Sequence, residues 1–491
     1  MFAKKVSRLA SAVLLAGAVT QSVVAATPPA KPNIIIILAD DLGYGDVSAY
    51  GQQRFTTPNI DALARCGTRF TDGYAAAAIC APSRAALLSG KDTGHGQIRG
   101  NISLGDFTDE GERGEMPLSA DTQTIASVLK PAGYATGAFG KWGLGGLQSL
   151  GVPWRHGFDS FYGYLDQYQA HNYFPTHLWM NDKRVPLANK FFIPHWMIGH
   201  TSSDAKDFRQ YIGGDYAPYR IIAQAENFIA ANKQRPFFLY YAPTIPHAAV
   251  QVPEAALKPF AGRWPETPYN QGLYTPHPTP RAARAAMITE LDAEVGRIVK
   301  LVHSAGIQKK TLILFTSDNG PEAAGGQDID FFNSAGGLRG GKGEVYEGGI
   351  RMPLIACWPG QVPAGRTSAT PIGSIDFMPT FAALAGVTAP PGMNGVSVIP
   401  ALLGTGPLPD RSLYWESHEP GRKGQAVRIG PWKGVRLQPR GFDPAQPVAL
   451  YDLSTDRAET RDLAGSHPDI VARMVAIMNA RIPATQKLFN F

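Results

Sequence analysis

This sequence has few cysteines, no long apolar run after its N-terminal segment and no large net charge. Only 3 of the 491 residues are cysteine, so at least one cannot pair within the chain, and an odd cysteine is a candidate reactive group. After residue 26 no apolar run is long enough for a stable membrane span. The formal net charge is +6 and falls to +3 without the first 26 residues, which hold three basic and no acidic side chains. Such a small excess does not indicate a nucleic-acid partner.

The N-terminus has the pattern of a secretory signal peptide. Residues 1–26 begin with basic side chains, continue with a short apolar run and end in small residues. We therefore expect a soluble mature protein that is exported to the periplasm or outside the cell. Export permits disulfides, and Cys66 and Cys357 are either two buried small apolar residues, which we favour, or a bridged pair.

Short apolar segments alternate with helical patterns along most of the chain. Helical patterns lie at residues 57–67, 219–234 and 283–306. The apolar segments predict buried strands at residues 33–40, 134–140, 236–243, 311–318 and 352–358. This alternation predicts an α/β fold, with a large, mostly parallel (mixed) sheet sandwiched by helices.

Three regions differ from this alternation. Residues 153–220 and 263–280 are rich in aromatic residues, proline and histidine, and we expect long ordered loops that build a binding site. The last part of the chain predicts a smaller antiparallel sheet followed by a helix. We therefore divide the chain into a signal peptide (1–26), a main α/β domain (27–405) and a small α+β subdomain (406–491).

Acidic residues directly follow two of the predicted strands. Asp40 and Asp41 come after the first, and Asp318 and Asn319 come after the fourth. Ligands of open α/β sheets bind at the carboxyl ends of the strands, so these side chains are expected to converge. Such hard oxygen ligands suit Ca²⁺ or Mg²⁺, although aspartates at strand ends also serve as helix caps.

The segment "CAPSR" places a cysteine at the start of a helical stretch. Cys80 lies near a predicted helix N-terminus, with Arg84 one turn further on. Lys141 and His247 follow strands, and Lys342 lies in a glycine-rich segment. Beside a divalent cation these groups make an anion site with the capacity for proton transfer. Taken singly, a cysteine of this kind is more often just a buried residue, and an arginine or lysine is more often a solvated charge.

Together these segments resemble the formylglycine-dependent (type I) sulfatases of the alkaline phosphatase superfamily, arylsulfatases among them. "CAPSR" matches the C-x-P-S-R maturation signature of that family. Further segments lie in the expected order: "ILADDLGYGD", "GKWGLG", "TIPH", "TSDNG", "GGKGEVYEGGIRMP" and "LYDLSTDRAE". The resemblance runs from about residue 32 to the end of the chain. It implies a sulfuric ester hydrolase.

The resemblance also implies a chemical role for Cys80. A separate maturation enzyme would oxidise this cysteine to formylglycine, an aldehyde that acts as a built-in cofactor. One hydroxyl of the hydrated aldehyde attacks sulfur, and the ester alcohol leaves. The second hydroxyl then loses its proton, which expels sulfate and regenerates the aldehyde. A plain thiol has no second hydroxyl for that last step.

Further roles follow from the same resemblance. The implied ligands of one Ca²⁺ ion are Asp40, Asp41, the matured Cys80, Asp318 and Asn319. Arg84 would hold the hydrated aldehyde and anchor the metal carboxylates. Lys141 and Lys342 would bind sulfate oxygens, and His247, together with Lys342, would protonate the leaving alcohol.

One position departs from the family pattern. Many members read G-K-W-H-L-G, where the histidine assists the hydroxyls of the nucleophile, and this chain has Gly143 instead. Our candidate substitute is His95, and we expect His95→Ala to lower turnover. A purely structural histidine is the alternative.

Aromatic and polar residues outside these motifs suggest the substrate. Rings stack on sugar faces and polar groups bind hydroxyls, which favours a sulfated carbohydrate over a simple aryl sulfate. The candidate pocket residues besides His95 are Arg99, Asn101, His171, Tyr173, Trp415 and Glu416. Two alternatives stay open: a phosphodiester or phosphonate hydrolase of the same superfamily, and a non-catalytic protein that binds sulfated glycans. A metal-dependent structural protein has no feature in its favour.

Overall fold

The computed structural model describes residues 31–195, 204–270, 272–438 and 443–482, together with Met1 and Ser202. Apart from Met1, the predicted signal peptide lies outside the described residues. Within the described ranges, no helix combines the length and the apolar character needed to cross a membrane.

A mixed sheet of eleven strands forms the centre of the molecule. Its strands are β1 (Asn33–Ala39), β2 (Thr68–Tyr74), β3 (Ala135–Lys141), β4 (Ser160–Tyr164), β5 (His177–Met180), β6 (Lys183–Pro186), β7 (Phe237–Ala242), β8 (Thr311–Ser317), β9 (Arg351–Cys357), β10 (Arg366–Ser368) and β11 (Ile372–Gly373). Their order is β10-β2-β9-β8-β1-β7-β3-β4-β5-β6, with β11 beside β2. The block β8-β1-β7-β3-β4 is parallel, and the β8–β9, β9–β2, β4–β5 and β5–β6 pairs are antiparallel. All five predicted strands are present.

Helices cover both faces of this sheet. They are α1 (Pro58–Cys66), α2 (Cys80–Ser89), α3 (Ile125–Leu129), α4 (Gln167–Ala170), α5 (Ala205–Arg209), α6 (Ala217–Asn232), α7 (Glu254–Leu257), α8 (Pro280–Ser304), α9 (Glu347–Ile350), α10 (Phe377–Ala385) and α11 (Ile399–Leu403). Side chains alternate along a strand, so Ile35 and Ile37 of β1 face the core under α6 and α8, and Ile34 and Ile36 face the core under α2 and α10. The three predicted helices are confirmed as α1, α6 and α8.

A second, four-stranded antiparallel sheet follows. It contains β12 (Ser412–Ser417), β13 (Gly424–Ile429), β14 (Trp432–Leu437) and β15 (Ala449–Asp452), and α12 (Pro468–Asn479) covers it with Met474 and Met478. The predicted fold class is therefore confirmed. The boundary at residues 405 and 406 stays a prediction.

The prediction of long loops is wrong for much of residues 153–220. This region contributes β4, which pairs with β3, and the β5–β6 hairpin, which extends the sheet edge. These strands are only four or five residues long, too short for a clear alternating pattern. Between residues 263 and 279 the described residues form no helix or strand beyond the isolated bridge Tyr269–His277.

The interpretation of Cys66 and Cys357 as two separate buried residues, which we favoured, is wrong. Cys66 at the end of α1 and Cys357 at the end of β9 form a disulfide, with their Cα atoms 5.5 Å apart. Cys80 is free and buried. The cysteine without a partner is therefore the one that begins α2.

Candidate active site

The predicted carboxylates meet at the end of two neighbouring parallel strands. β1 and β8 pair in register, with Ala39 opposite Ser317, so the residues that follow them lie side by side. The backbone N–H of Asp41 donates to Asp318 Oδ1 at 3.1 Å, and Asn319 Nδ2 donates to Asp41 Oδ1 at 2.7 Å. The structure thus brings the two acidic segments together, as the strand pattern predicts.

Helix α2 adds a cysteine and an arginine to these carboxylates. Cys80 Sγ lies 3.7 Å from Asp40 Oδ1 and 3.9 Å from Asp41 Oδ1. Arg84, one turn along the helix and fully buried, donates from Nε to Asp318 Oδ2 at 3.0 Å. Its Nη2 lies 2.8 Å from the same oxygen and 3.4 Å from Asp40 Oδ1. Arg84 therefore links the ends of both strands to the helix that carries Cys80.

Two buried lysines approach the same carboxylates from different segments. Lys141, the last residue of β3, donates from Nζ to Asp40 Oδ2 at 2.8 Å. Lys342 donates from Nζ to Asp41 Oδ2 at 2.8 Å. The N–H of the next residue, Gly343, donates to Ala78 O at 2.7 Å, which ties the glycine-rich loop to the segment before Cys80. The two ammonium groups therefore have different carboxylate partners within one cluster.

His247 completes the cluster on the Lys342 side. Its Nε2 lies 3.1 Å from Lys342 Nζ and 3.4 Å from Asp41 Oδ2. The ring of His171 stacks on it with centroids 4.4 Å apart and planes 7° apart. Burial, followed by the charge of Lys342, holds the pKa of His247 well below its usual range. The imidazole is therefore neutral, and its Nε2 can accept a hydrogen bond from the Lys342 ammonium group.

Burial and neighbouring charges shift the pKa values of the acidic groups in opposite directions. Burial raises the pKa of Asp318 to about 7, with the charge of Asp40 adding to the effect. Burial acts on Asp40 as well, but Lys141 and Arg84 outweigh it, and the pKa of this carboxyl lies well below its usual range. Burial also raises the pKa of the Cys80 thiol. The thiolate is therefore scarce at neutral pH.

The cluster contains groups that can hold a metal ion. Asp40, Asp41, Cys80 and His247 each offer one ligand atom, and these atoms lie within 4.8 Å of one another. Asn319 Oδ1 is buried beside them and has no hydrogen-bond partner among the described residues. Carboxylate and amide oxygens are ligands that Ca²⁺ prefers, so the donor set fits a hard divalent cation.

Two of the predicted pocket residues lie beside this cluster, and a third supports it from below. Asn101 is exposed, and its Oδ1 accepts a hydrogen bond from Ala81 N at 3.0 Å, directly after Cys80. His171 stacks on His247. Tyr173 is fully buried, and its hydroxyl lies 2.6 Å from Thr244 O and 2.8 Å from His247 O. The prediction that Tyr173 lines the pocket mouth is therefore wrong, because its ring lies beneath the loop that carries His247.

The same prediction is wrong for Arg99, Trp415 and Glu416. Trp415 and Glu416 belong to β12, and all three side chains are at most 2% exposed. Arg99 Nη1 donates to Glu416 Oε1 at 3.0 Å, and Trp415 Nε1 donates to Ala75 O at 2.8 Å. These buried contacts join the small sheet to the main domain, so the side chains do not face a substrate.

His95 does not take the place of the missing family histidine. Its Nδ1 lies 2.7 Å from Asp92 Oδ1 and 3.2 Å from Asn394 Nδ2. Together with Arg411 it lines a different pocket, of about 310 Å³. Within the described ranges no hydrogen bond or ion pair joins His95 to the Cys80 cluster. The alternative interpretation as a structural histidine agrees with this position.

Sequence reasoning missed four residues near the cluster. His195 lies with Nε2 2.6 Å from Nδ1 of His171, and Tyr274 packs edge-on against His171 with ring centroids 5.4 Å apart. Glu115 and Gln167 are buried near β3. A Cβ atom at Gly143 would lie 2.8 Å from Cγ of Gln167. The glycine at this position was therefore the only feature of the sequence that could have indicated a close neighbour there.

Comparisons with known proteins give a consistent result. The family model described as "Sulfatase" matches residues 32–387, and "N-sulphoglucosamine sulphohydrolase, C-terminal" matches residues 341–487. Arylsulfatase A of Homo sapiens is 35% identical over 483 residues, covering 92% of this chain and 88% of that protein. N-acetylgalactosamine-6-sulfatase of Canis lupus familiaris is 33% identical over 417 residues, covering 83% and 72%. The crystal structure of Ps i-CgsB in complex with k-i-k-neocarrahexaose is 29% identical with a TM-score of 0.74, covering 94% and 95%.

Proposed function

The chain belongs to the sulfatase family and hydrolyses a sulfate ester, and we propose that it is an exported enzyme acting on a sulfated carbohydrate through formylglycine at residue 80 and one bound Ca²⁺ ion. One observation carries the proposal. The thiol of Cys80 lies in a buried cluster with three carboxylates, two lysines, an arginine and a histidine.

The state of Cys80 favours its conversion over direct use of the thiol. Burial raises the pKa of Cys80 even though Lys141 and Lys342 oppose the effect, so a thiolate nucleophile is scarce at neutral pH. Formylglycine, once hydrated, supplies a hydroxyl nucleophile and a second hydroxyl that expels sulfate. The partner implied by this proposal is a formylglycine-generating maturation enzyme that acts on "CAPSR".

The calcium proposal rests on the donor set. The ligands would be Asp40, Asp41, residue 80, Asp318 and Asn319. The buried Oδ1 of Asn319 has no hydrogen-bond partner among the described residues, as expected of a metal ligand. When bound, the ion would polarise the sulfate group and favour deprotonation of the nucleophile.

The basic residues have separate tasks in this proposal. Lys141 and Lys342, which contact Asp40 and Asp41, would bind sulfate oxygens and stabilise charge that develops on them. Lys342 Nζ and His247 Nε2, 3.1 Å apart, hold a proton between them that can pass to the leaving alcohol oxygen. Arg84, with Asp40 and Asp318 as partners, keeps residue 80 and the carboxylates in register.

Substrate and location are supported by features outside the cluster. His171, His195 and Tyr274 form an aromatic wall beside His247, and Asn101 adds an exposed polar group beside residue 80. Such a wall suits a sugar ring. The Cys66–Cys357 disulfide suits an oxidising compartment, in agreement with the predicted signal peptide.

Hydrolysis assays with one alcohol in three ester forms test this proposal. Protein made with the maturation enzyme should hydrolyse 4-nitrophenyl sulfate faster than 4-nitrophenyl phosphate or a 4-nitrophenyl phosphonate. Cys80→Ala should abolish this activity, and removal of metal with a chelator should lower it until Ca²⁺ is restored. A preference for the phosphorus esters would contradict the proposal, and so would full activity of the Cys80→Ala variant.

A further inference from the structure

Two buried polar side chains near Lys141 have atoms without a hydrogen-bond partner among the described residues. They are Oε1 of Glu115 and Nε2 of Gln167. Glu115 is 2% exposed and Gln167 is 3% exposed. A buried polar atom without a partner costs free energy, and such atoms in a folded protein call for an explanation, of which a ligand is one.

The local backbone places both side chains on the Lys141 side of the cluster. Glu115 forms an isolated β-bridge with Ser103. Two residues before Ser103, the Asn101 side chain accepts a hydrogen bond from Ala81 N, directly after Cys80. The N–H of Gly114 donates to Asp166 Oδ2 at 2.7 Å, next to Gln167. Two independent links therefore bring Glu115 towards both Cys80 and Gln167.

Gln167 lies over the turn that follows Lys141. The N–H of Gly143 donates to Leu165 O at 3.2 Å, and a Cβ atom at Gly143 would lie 2.8 Å from Cγ of Gln167. Gly143 has a φ of 70°, the left-handed region that favours glycine. The glycine thus leaves room for the glutamine side chain beside the end of β3.

We propose that Glu115 and Gln167 form a hydroxyl-binding subsite on the Lys141 side of the cluster, which selects sulfate esters whose alcohol carries a neighbouring hydroxyl group. This inference rests on the proposed function and deepens it by naming what the pocket recognises next to the sulfate. A carboxyl and an amide group can together donate to and accept from one hydroxyl. An aryl or simple alkyl sulfate leaves both groups unpaired, whereas a sugar sulfate satisfies them.

The charge state of Glu115 agrees with this role. Burial raises the pKa of Glu115 to about 8, with Asp166 adding to the effect and Lys141 opposing it. The carboxyl group is therefore mostly protonated at neutral pH. A neutral acid can donate to a substrate hydroxyl and does not repel the sulfate group bound between the two lysines.

A matched pair of small substrates tests the subsite. Cyclohexyl sulfate has no hydroxyl, and cis- and trans-2-hydroxycyclohexyl sulfate differ from it by one neighbouring hydroxyl. The readout is the ratio of kcat/KM for a hydroxylated ester to that for cyclohexyl sulfate in the same protein. This ratio is independent of the fraction of molecules that carry formylglycine.

We expect the wild-type protein to prefer one hydroxylated isomer by about tenfold or more. Glu115→Met and Gln167→Met should each reduce the ratio to below about threefold, and Glu115→Gln should keep it because glutamine mimics a protonated glutamate. Glu294→Met is the matched control. Glu294 on α8 is likewise buried, with a pKa raised to about 8 and an Oε1 that has no hydrogen-bond partner in the described part of the chain. Its other oxygen accepts a hydrogen bond from the Tyr241 hydroxyl.

Each outcome decides the inference. A wild-type ratio near one overturns it, and this measurement needs no variant to fold. Equal ratios in wild type and in both Met variants also overturn it, as does a change in Glu294→Met as large as in Glu115→Met. If protein with formylglycine at residue 80 hydrolyses none of these esters and no 4-nitrophenyl sulfate, the proposed function itself fails and this inference fails with it.

Discussion

Among single residues, the buried cysteine shows how a sequence motif and its surroundings point to the same chemistry. The motif predicts that Cys80 is a maturation site, and the structure gives the thiol carboxylate neighbours and a raised pKa. Both facts argue against the thiolate as the nucleophile. The position of Cys80 at the start of α2 also places Arg84 one turn later, where it contacts Asp40 and Asp318.

The contacts of His95 reverse the expectation that His95→Ala lowers turnover. His95→Ala removes hydrogen bonds to Asp92 and Asn394, and neither partner belongs to the Cys80 cluster. We therefore expect kcat for 4-nitrophenyl sulfate to stay within about twofold of wild type, with a loss of stability of about 1 kcal/mol. Steady-state kinetics and thermal unfolding measure both. A tenfold fall in kcat at unchanged stability would contradict this position for His95.

Gly143 gives a second prediction for a single residue. Gly143→Ala should destabilise the protein more than Gly133→Ala, by about 1 kcal/mol or more. Both glycines have a positive φ, but only Gly143 has a neighbour, Gln167, where the new methyl group would lie. The difference between the two variants therefore isolates the collision from the backbone strain.

A double-mutant cycle with Gln167→Ala completes this test. In the absence of the Gln167 side chain, the extra cost of Gly143→Ala should vanish. Urea unfolding of the four proteins measures the coupling. An unchanged cost in the Gln167→Ala background would show that the glutamine does not occupy that space.

For secondary-structure elements, the packing of α8 on β7 buries an acid that should make stability depend on pH. Glu294 on α8 accepts a hydrogen bond from the Tyr241 hydroxyl at 2.8 Å, and burial raises its pKa to about 8. The folded protein therefore binds this proton more tightly than the unfolded chain does. This contribution to stability is fully present below the pKa of the unfolded chain and is lost as the pH rises through about 8.

Glu294→Gln removes this titration and so provides the measurement. Relative to the variant, wild type should lose stability between about pH 5 and pH 8, by roughly 1–4 kcal/mol. Melting temperatures of both proteins across this range measure the trend, and the difference between them cancels all other titrating groups. A constant difference from pH 5 to pH 8.5 would contradict a buried acid at this contact.

In the whole molecule, buried charges join the small sheet to α9 of the main domain. Lys433 on β14 lies 3.0 Å from Glu347 Oε1 and 2.9 Å from Glu459 Oε1, and its side chain is fully buried. Lys433→Met removes the ammonium group from both buried carboxylates, of which Glu347 keeps its ion pair with Arg351, and should cost about 3–5 kcal/mol. Lys233→Met, at an exposed position after α6, is the control. Equal melting temperatures for the two variants would contradict a stabilising role for the contacts of Lys433.

The sequence predicts the fold and the centre of the site for a physical reason. Asp40, Asp41 and Asp318 follow strands that are buried throughout, and parallel neighbouring strands must end at the same edge. The same argument places Lys141 and His247, because each comes just after a strand of this block or at its end. The order of the strands, which no periodicity reveals, had to come from the structure.

The predicted pocket residues show where such reasoning stops. Arg99, Trp415 and Glu416 have side chains that suit a sugar, but burial against the small sheet uses them as internal contacts. Sequence reasoning missed Gln167 and Glu115. Gln167 packs against Gly143, just after Lys141, and Glu115 pairs with Ser103. Polar residues look alike in a sequence whether they face a ligand or the interior, and only tertiary contacts separate the two cases.

The most direct test of the central claim is the mass of one peptide. Trypsin releases residues 70–84, "FTDGYAAAAICAPSR", from protein purified from its natural host. The account predicts the mass with an aldehyde in place of the Cys80 thiol in protein that hydrolyses sulfate esters. An unmodified thiol in active, natively exported protein would contradict it.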